Sequence, residues 1–201
     1  MSDAYNEREL VELPLLKQLA GLDWQRLSGD TGVPQNTERD SFREVLLKAR
    51  LRACLRRINR TEAGEEWLDD ARLNAAIGAL ELPASTHLME ANRSVTELLL
   101  NGTVVEGDPE VHGGKGQTVR YIDFEKPENN DFLVVDQYRV EAVGRAPIIP
   151  DVVLFVNGIP LVVIECKSPD ITDPVETGID QILRYSGQRK GVENEGVEKL
   201  F

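Results

Sequence analysis

The sequence predicts an α/β fold with a mixed central β-sheet flanked by helices, and three observations carry that expectation. Up to residue 102 apolar residues recur at helical spacing; from Val119 the pattern becomes that of strands; helical spacing returns after Pro174. At the centre lie two solid apolar runs, Val152–Val156 and Leu161–Ile164, flanking Asn157-Gly158, a strong short-range signal for a β-hairpin. Strands this uniformly apolar are normally covered on both faces, so they belong to the middle of the sheet.

Taken in order, residues 4–20 read as an amphipathic helix through Leu10, Val11, Leu13 or Leu15, Leu16 and Leu19. Pro14 conflicts with an unbroken helix, so the helix either begins near Glu12 or kinks there. Gly21 ends it, and Trp24 is expected to pack back on the core. Residues 28–40 have loop chemistry and lead into a helix at 41–59 with Ser41 as N-cap. Two more helices follow at 64–80 and 86–101, with apolar faces through Leu68, Ala71, Leu73, Ile77 and Leu80, and through Leu88, Ala91, Val95 and Leu98.

The glycine-rich stretch 107–117 superficially resembles a phosphate loop. It fails the pattern, because Pro109 stands where the first glycine belongs and Gly116 follows Lys115 instead of Ser or Thr. A hairpin tip is the better reading. Strands are expected at 119–124 and 132–143, separated by the turn cluster PENND, and then in the central hairpin. Ser168-Pro169 stops the last strand. Asp173, Pro174 and Glu176 fit the N-cap, N1 and N3 positions of a final helix reaching about Gln188.

The 201 residues, 41% hydrophobic and 29% charged, fit one globular domain spanning 1–201, mainly helical over 1–102 and carrying the sheet over 103–190. No apolar run approaches the roughly 18 residues of a membrane-spanning helix, and the polar N-terminus is unlike a secretory signal. Cys54 and Cys166 offer no disulfide framework and suit a reducing compartment, so a cytoplasmic location is expected. His87 and His112 stand apart, without zinc-ligand partners.

The net charge of −12 argues against a general nucleic-acid binder, since counterion release rewards basic surfaces. Residues 41–60 are the exception: seven Lys and Arg against the single acid Glu44 make a local +6, leaving −18 for the rest. That helix, with Arg52 and Arg56, is a candidate DNA contact; a solvated face is the plainer alternative.

Three charges bound the hairpin: Asp151 before the first run, Glu165 and Lys167 after the second. An ionised group at the margin of a dry core costs several kcal/mol unless it is paired. The arrangement D-x13-E-x-K suits metal-dependent phosphodiester hydrolysis. Two carboxylates supply hard oxygen ligands for Mg²⁺, and the Cys166 backbone carbonyl is a candidate to complete the shell. Lys167 could orient or deprotonate the attacking water, or neutralise the phosphate. A structural ion pair at a strand end is the competing reading.

Register decides whether the acids meet. A regular two-residue turn at Asn157-Gly158 sets Asp151 opposite Ile164 and on the face away from Glu165. Convergence requires a three-residue loop centred on Gly158 or a bulge beside Asp151, and one of these is expected.

Pro150-Asp151 followed by Glu165-Cys166-Lys167 resembles the motif of the PD-(D/E)XK nuclease superfamily, and Gln181-x-x-x-Tyr185 resembles a pair typical of a narrower group within it. The surrounding segments NDFLVVDQYRV, PDVVLFVNGIPLVVIECKSP and DQILRYSGQ are similar to the N-terminal nuclease domain of type I restriction enzyme R (motor) subunits. The likeness extends through SFREVLLKARLRACLRRINR and IDFEKPENNDF, so it covers most of the chain. Leucine is more usual at the place of Cys166.

The resemblance implies a PD-(D/E)XK core with extra N-terminal helices, in which Asp151 and Glu165 bind Mg²⁺ and Lys167 is catalytic. It gives Gln181 and Tyr185 a supporting role in DNA placement or nuclease function, and makes Glu12 a further metal ligand from the first helix, with Glu9 and Glu7 as rivals. It implies cutting of double-stranded DNA away from the recognition site, alongside methyltransferase (M) and specificity (S) subunits. The helicase domains that use ATP lie outside this chain, which is expected to be an N-terminal fragment of a much larger R subunit. A docking or DNA-binding module of the same fold, or a repair or junction nuclease of the superfamily, are the alternatives.

Overall fold

The structure is a computed structural model that describes residues 7–29, 32–82 and 88–186. A π-helical turn, Arg8–Glu12, runs into α1 (Leu13–Ala20), followed by β1 (Gln25–Ser28), α2 (Lys48–Ile58), α3 (Asp70–Glu81) and α4 (Leu88–Asn101). Then come β2 (Thr103–Val105), α5 (Pro109–His112), β3 (Gln117–Val119), β4 (Phe132–Asp136), β5 (Val152–Val156), β6 (Ile159–Ile164) and α6 (Pro174–Tyr185). The elements form two compact units, one from residues up to Leu47 and from Phe132 onward, the other from Lys48 to Asp131. Among the described residues no helix is long and apolar enough to cross a membrane.

The first unit is built on a four-stranded sheet of order β1-β4-β5-β6. β1 pairs with β4 in parallel, and the other pairings are antiparallel, so the sheet is mixed as expected. Both faces are covered at the central strands β4 and β5, whereas β6, expected in the middle of the sheet, is an edge strand with Leu161 and Val162 exposed. Val134 and Val152 pack with Leu16 of α1, flanked by Trp24 and Ile164, while Leu133, Val135, Val153 and Phe155 pack with Leu47, Tyr138 and Tyr185. Each fully buried Val, Leu or Phe contributes roughly 1.5–3 kcal/mol of transfer free energy, which is what holds the charged strand ends in place. Trp24 packs back on this core and against the Phe132 ring at 5.2 Å, as expected.

The α-helical part begins at Leu13, beside Glu12, with Pro14 in its first turn, which is the first of the two expected alternatives. The turn before it is widened, with the Leu13 N–H donating to Arg8 O, five residues back. A π-turn accommodates a residue that would otherwise crowd the ladder. The expected helix at 41–59 begins only at Lys48. Residues 41–47 are drawn to the sheet of the first unit: Leu47 N–H donates to Gly158 O at 2.9 Å, and Phe42 O accepts from Glu141 N–H at 2.9 Å.

In the second unit α2 buries Leu51, Cys54, Leu55 and Ile58. The helix expected at 64–80 starts at Asp70 because Asp69 caps it, accepting from Arg72 N–H at 2.8 Å. Residues 107–117 are a hairpin tip, carrying the short α5 and left-handed Gly113 and Gly114 between the antiparallel strands β2 and β3. The strand expected at 119–124 stops at Val119. Beyond it, Asp123 accepts from the N–H groups of Glu125 and Lys126 and organises a turn.

α6 begins at Pro174 as expected, but Asp173 is left-handed (φ 54°) and its side chain makes no cap. His87, and the expected end of this helix at Gln188, lie outside the described residues.

Candidate active site at the hairpin ends

The hairpin solves its register problem with a regular two-residue turn and a bulge. Asn157 and Gly158 both have positive φ (55° and 80°), the conformation that matches the twist of paired strands. Val156 pairs with Ile159 and Phe155 with Pro160, but Leu154 pairs with Val162, so Leu161 is the extra residue. Neither expected device occurs: the loop has two residues, not three, and the bulge that supplies the slip lies in β6 at Leu161, not beside Asp151. A bulge counts as one residue of slip, which restores the phase that the two-residue turn removed. Beyond the pair Val152 and Ile164, the next step of the register sets Asp151 across from Glu165.

Asp151 is fixed from two sides. Its Oδ2 accepts the Cys166 N–H at 2.8 Å, and its Oδ1 accepts from the Gln137 amide at 3.5 Å. The Glu165 side chain is only 1% exposed. Burial, then the neighbouring Asp151 carboxylate, pushes its pKa up to about 7, while Tyr185 and Lys167 pull the other way. Its Oε1 is buried without a hydrogen-bond partner. Lys167 Nζ lies 3.4 Å from Glu165 Oε2 and donates to the Cys166 carbonyl at 2.8 Å. The carbonyl expected in a metal shell is thus engaged by the lysine. The Cys166 thiol is buried and pushed up to about 12, by burial first and then by Asp151, Glu12, Glu7 and Glu165.

The three candidate acids of the first helix part company. Glu12 is buried, 3% exposed, and its Oε2 accepts from the same Gln137 amide at 3.3 Å. Burial raises its pKa, with Asp151 and Asp136 adding to the rise and Arg8 opposing it. Glu7 instead accepts from Ser168 N–H at 3.0 Å and stands 3.9 Å from Lys167 Nζ. Glu9 is exposed. The wide π-turn thus delivers both Glu7 and Glu12 to the hairpin ends, and Arg8 between them bridges Glu12 to Asp136.

Gln181 donates to the Tyr185 hydroxyl at 2.6 Å, so the pair is one unit on α6. Tyr185 is 1% exposed and lies against Glu165, with its own pKa raised by burial and that acid. A cleft of about 370 Å³ opens beside Glu165 and Lys167, walled by Pro174, Val175, Ile179 and Ile182. Arg52 and Arg56 lie in the second unit, where Asp70 accepts from Arg56 at 2.8 Å and Asn74 from Arg52.

Asp151 and Glu165 are the residues that could hold a hard cation, with Glu12 one amide away. Among the described residues no three His, Cys, Asp or Glu side chains gather closely enough to enclose an ion alone. Gln137 and Asp136 join the site without a sequence motif to announce them. Their one signal is a polar pair ending the apolar run FLVV, just as Pro150-Asp151 opens the next.

Residues 4–201 match the family described as the type I restriction enzyme R protein N terminus. The chain belongs to this family. It is similar to a putative type I restriction enzyme endonuclease subunit, MjaIXP, of Methanocaldococcus jannaschii, 31% identical over 167 residues. It is also similar to the type I restriction enzyme HindI endonuclease subunit of Haemophilus influenzae, 29% identical over 170 residues. Each match covers 82% of this chain but 15% of the relative. This R-protein N-terminal region therefore corresponds to about 15% of the length of these relatives.

Proposed function

We propose that this chain is the nuclease domain of a type I restriction R subunit, hydrolysing phosphodiester bonds of double-stranded DNA with Mg²⁺, remote from the recognition sequence. In that reading it works in a complex with M and S subunits and with ATP-driven motor domains of its own longer chain. The observation that carries the reading is the meeting of Asp151 with a buried Glu165 whose Oε1 has no donor. A buried acid beside a second, half-buried carboxylate is costly to ionise unless a cation joins them.

The donor set fits Mg²⁺, which prefers carboxylate oxygens and keeps several waters, so two protein acids suffice and a closed protein cage is not needed. When bound, the ion supplies Lewis-acid stabilisation of the negative charge building on the scissile phosphate. Asp151 and Glu165 would hold it, with Glu12 as a further acid. Lys167, released from the Cys166 carbonyl, orients or deprotonates the attacking water, or neutralises the phosphate. Tyr185, steadied by Gln181, keeps Glu165 in place.

The test is Asp151→Ala or Lys167→Ala in the assembled restriction complex. DNA cutting is expected to cease while ATP hydrolysis continues. Cutting at the unaltered rate would refute the assignment.

A further inference from the structure

We propose that Gln137 is a positioning residue of this site, whose amide yokes Glu12 of the first helix to Asp151 of the hairpin. The inference rests on the reading of these acids as cation ligands. β4 ends at Asp136, and the next residue turns left-handed, with φ 52° at Gln137. Glycine takes that conformation freely, whereas a residue with a side chain is strained there, and such strain persists where the surroundings enforce it.

The surroundings do enforce it. Gln137 N–H donates to Asp151 O at 2.8 Å and Tyr138 N–H to Pro150 O at 3.1 Å, so the chain stays in step with the hairpin. On the other side Gly29 N–H donates to Asp136 O at 2.8 Å. A Cβ on Gly29 would stand 2.2 Å from Asp136 O and 2.4 Å from Gln137 O, so the approach tolerates no side chain. Gripped in this way, the left-handed residue changes direction without breaking register, and its side chain is aimed along the strand ends.

There the amide donates to Glu12 Oε2 at 3.3 Å and to Asp151 Oδ1 at 3.5 Å. These acids are distant in sequence and come from different elements, and Gln137 is the group that donates to both. An amide suits this task because it supplies hydrogens but no charge. A lysine or arginine between Glu12 and Asp151 would neutralise both and compete with a cation, whereas glutamine spaces them and adds no charge to that which Arg8 already brings to Glu12 from its other oxygen.

The experiment is Mn²⁺ titration calorimetry on the chain, with thermal unfolding in metal-free buffer measured in parallel. Gln137→Met is expected to weaken Mn²⁺ binding on the order of tenfold, the usual size of an outer-shell loss. Gln137→Gly relieves the left-handed strain, so it should lose the same affinity yet melt no lower than Gln137→Met. The double variant Glu12→Gln with Gln137→Met should bind no more than about twofold weaker than Glu12→Gln alone, since the yoke has one purpose. Wild-type affinity in both Gln137 variants, or additive losses in the double variant, would overturn the proposal. If Asp151→Ala binds Mn²⁺ like the wild type, the metal reading itself fails, and the yoke with it.

Discussion

Asp151 Oδ2 accepts the backbone N–H of Cys166 at 2.8 Å, so the acid before β5 is clamped to the residue between Glu165 and Lys167. This bond gives Asp151 a structural duty besides its charge, and two substitutions separate them. Asp151→Ala leaves a half-buried N–H without an acceptor and is expected to cost about 1–3 kcal/mol in urea denaturation. Asp151→Asn keeps an acceptor and should cost less. Both should lose divalent-cation binding. Equal stability of the two variants would show that the clamp contributes nothing.

Glu165 sets a pH dependence whose sign is fixed. Its folded-state pKa of about 7 lies above the ordinary value of 4.5, so the folded chain retains a proton that the unfolded chain releases. The favourable contribution is complete below pH 4.5 and is lost as pH rises through about 7. Metal-free stability should therefore fall by roughly 2–3 kcal/mol across that window, and Glu165→Gln should flatten the fall. Mn²⁺ binding should run the opposite way and strengthen with pH through the same window, because the ion competes with the proton. Calorimetry at several pH values checks both slopes.

Tyr185→Phe removes the acceptor of the Gln181 amide and the hydroxyl that lowers the pKa of Glu165. The expected cost is about 0.5–1.5 kcal/mol of stability. The pH at which Mn²⁺ binding is half developed should move upward. A loss of stability with no movement of that pH would make the pair a packing feature alone.

Gly158→Val places a β-branched side chain at φ 80° in the hairpin turn. It should destabilise the chain by about 1–2 kcal/mol, with a larger unfolding rate, because left-handed backbone disfavours branched residues. Gly144, also at positive φ and with open space where a Cβ would stand, provides a comparison outside the hairpin: Gly144→Ala carries left-handed backbone strain alone.

Much of the fold was legible because its signals are local. The Asn157-Gly158 turn, the first apolar run and the Pro174 helix start depend on neighbours in sequence, and each stands where the pattern puts it, whereas the second run forms the partly exposed edge strand β6 and not a middle strand. The pattern failed where distant pairing overrode propensity. Residues 41–47 look helical, yet Leu47 and Phe42 exchange that option for hydrogen bonds to Gly158 and Glu141.

The site was legible in its residue types and only partly in its geometry. That Asp151 and Glu165 needed a one-residue slip followed from side-chain alternation alone. Where the slip falls did not, because Leu161 carries no glycine or other local mark of a bulge. Gln137 and Asp136 were invisible for a related reason: a left-handed glutamine is selected by Gly29 on one side and Asp151 on the other, and neither is near it in sequence.

The central claim is that Asp151 and Glu165 together hold a divalent cation, and locating the ion tests it most directly. Crystals of the chain soaked in Mn²⁺ should show anomalous density between the two carboxylates, with Glu165 Oε1 as a ligand and Lys167 no longer paired to Glu165 Oε2. Density elsewhere, or none with Lys167 still 3.4 Å from Glu165, would contradict it.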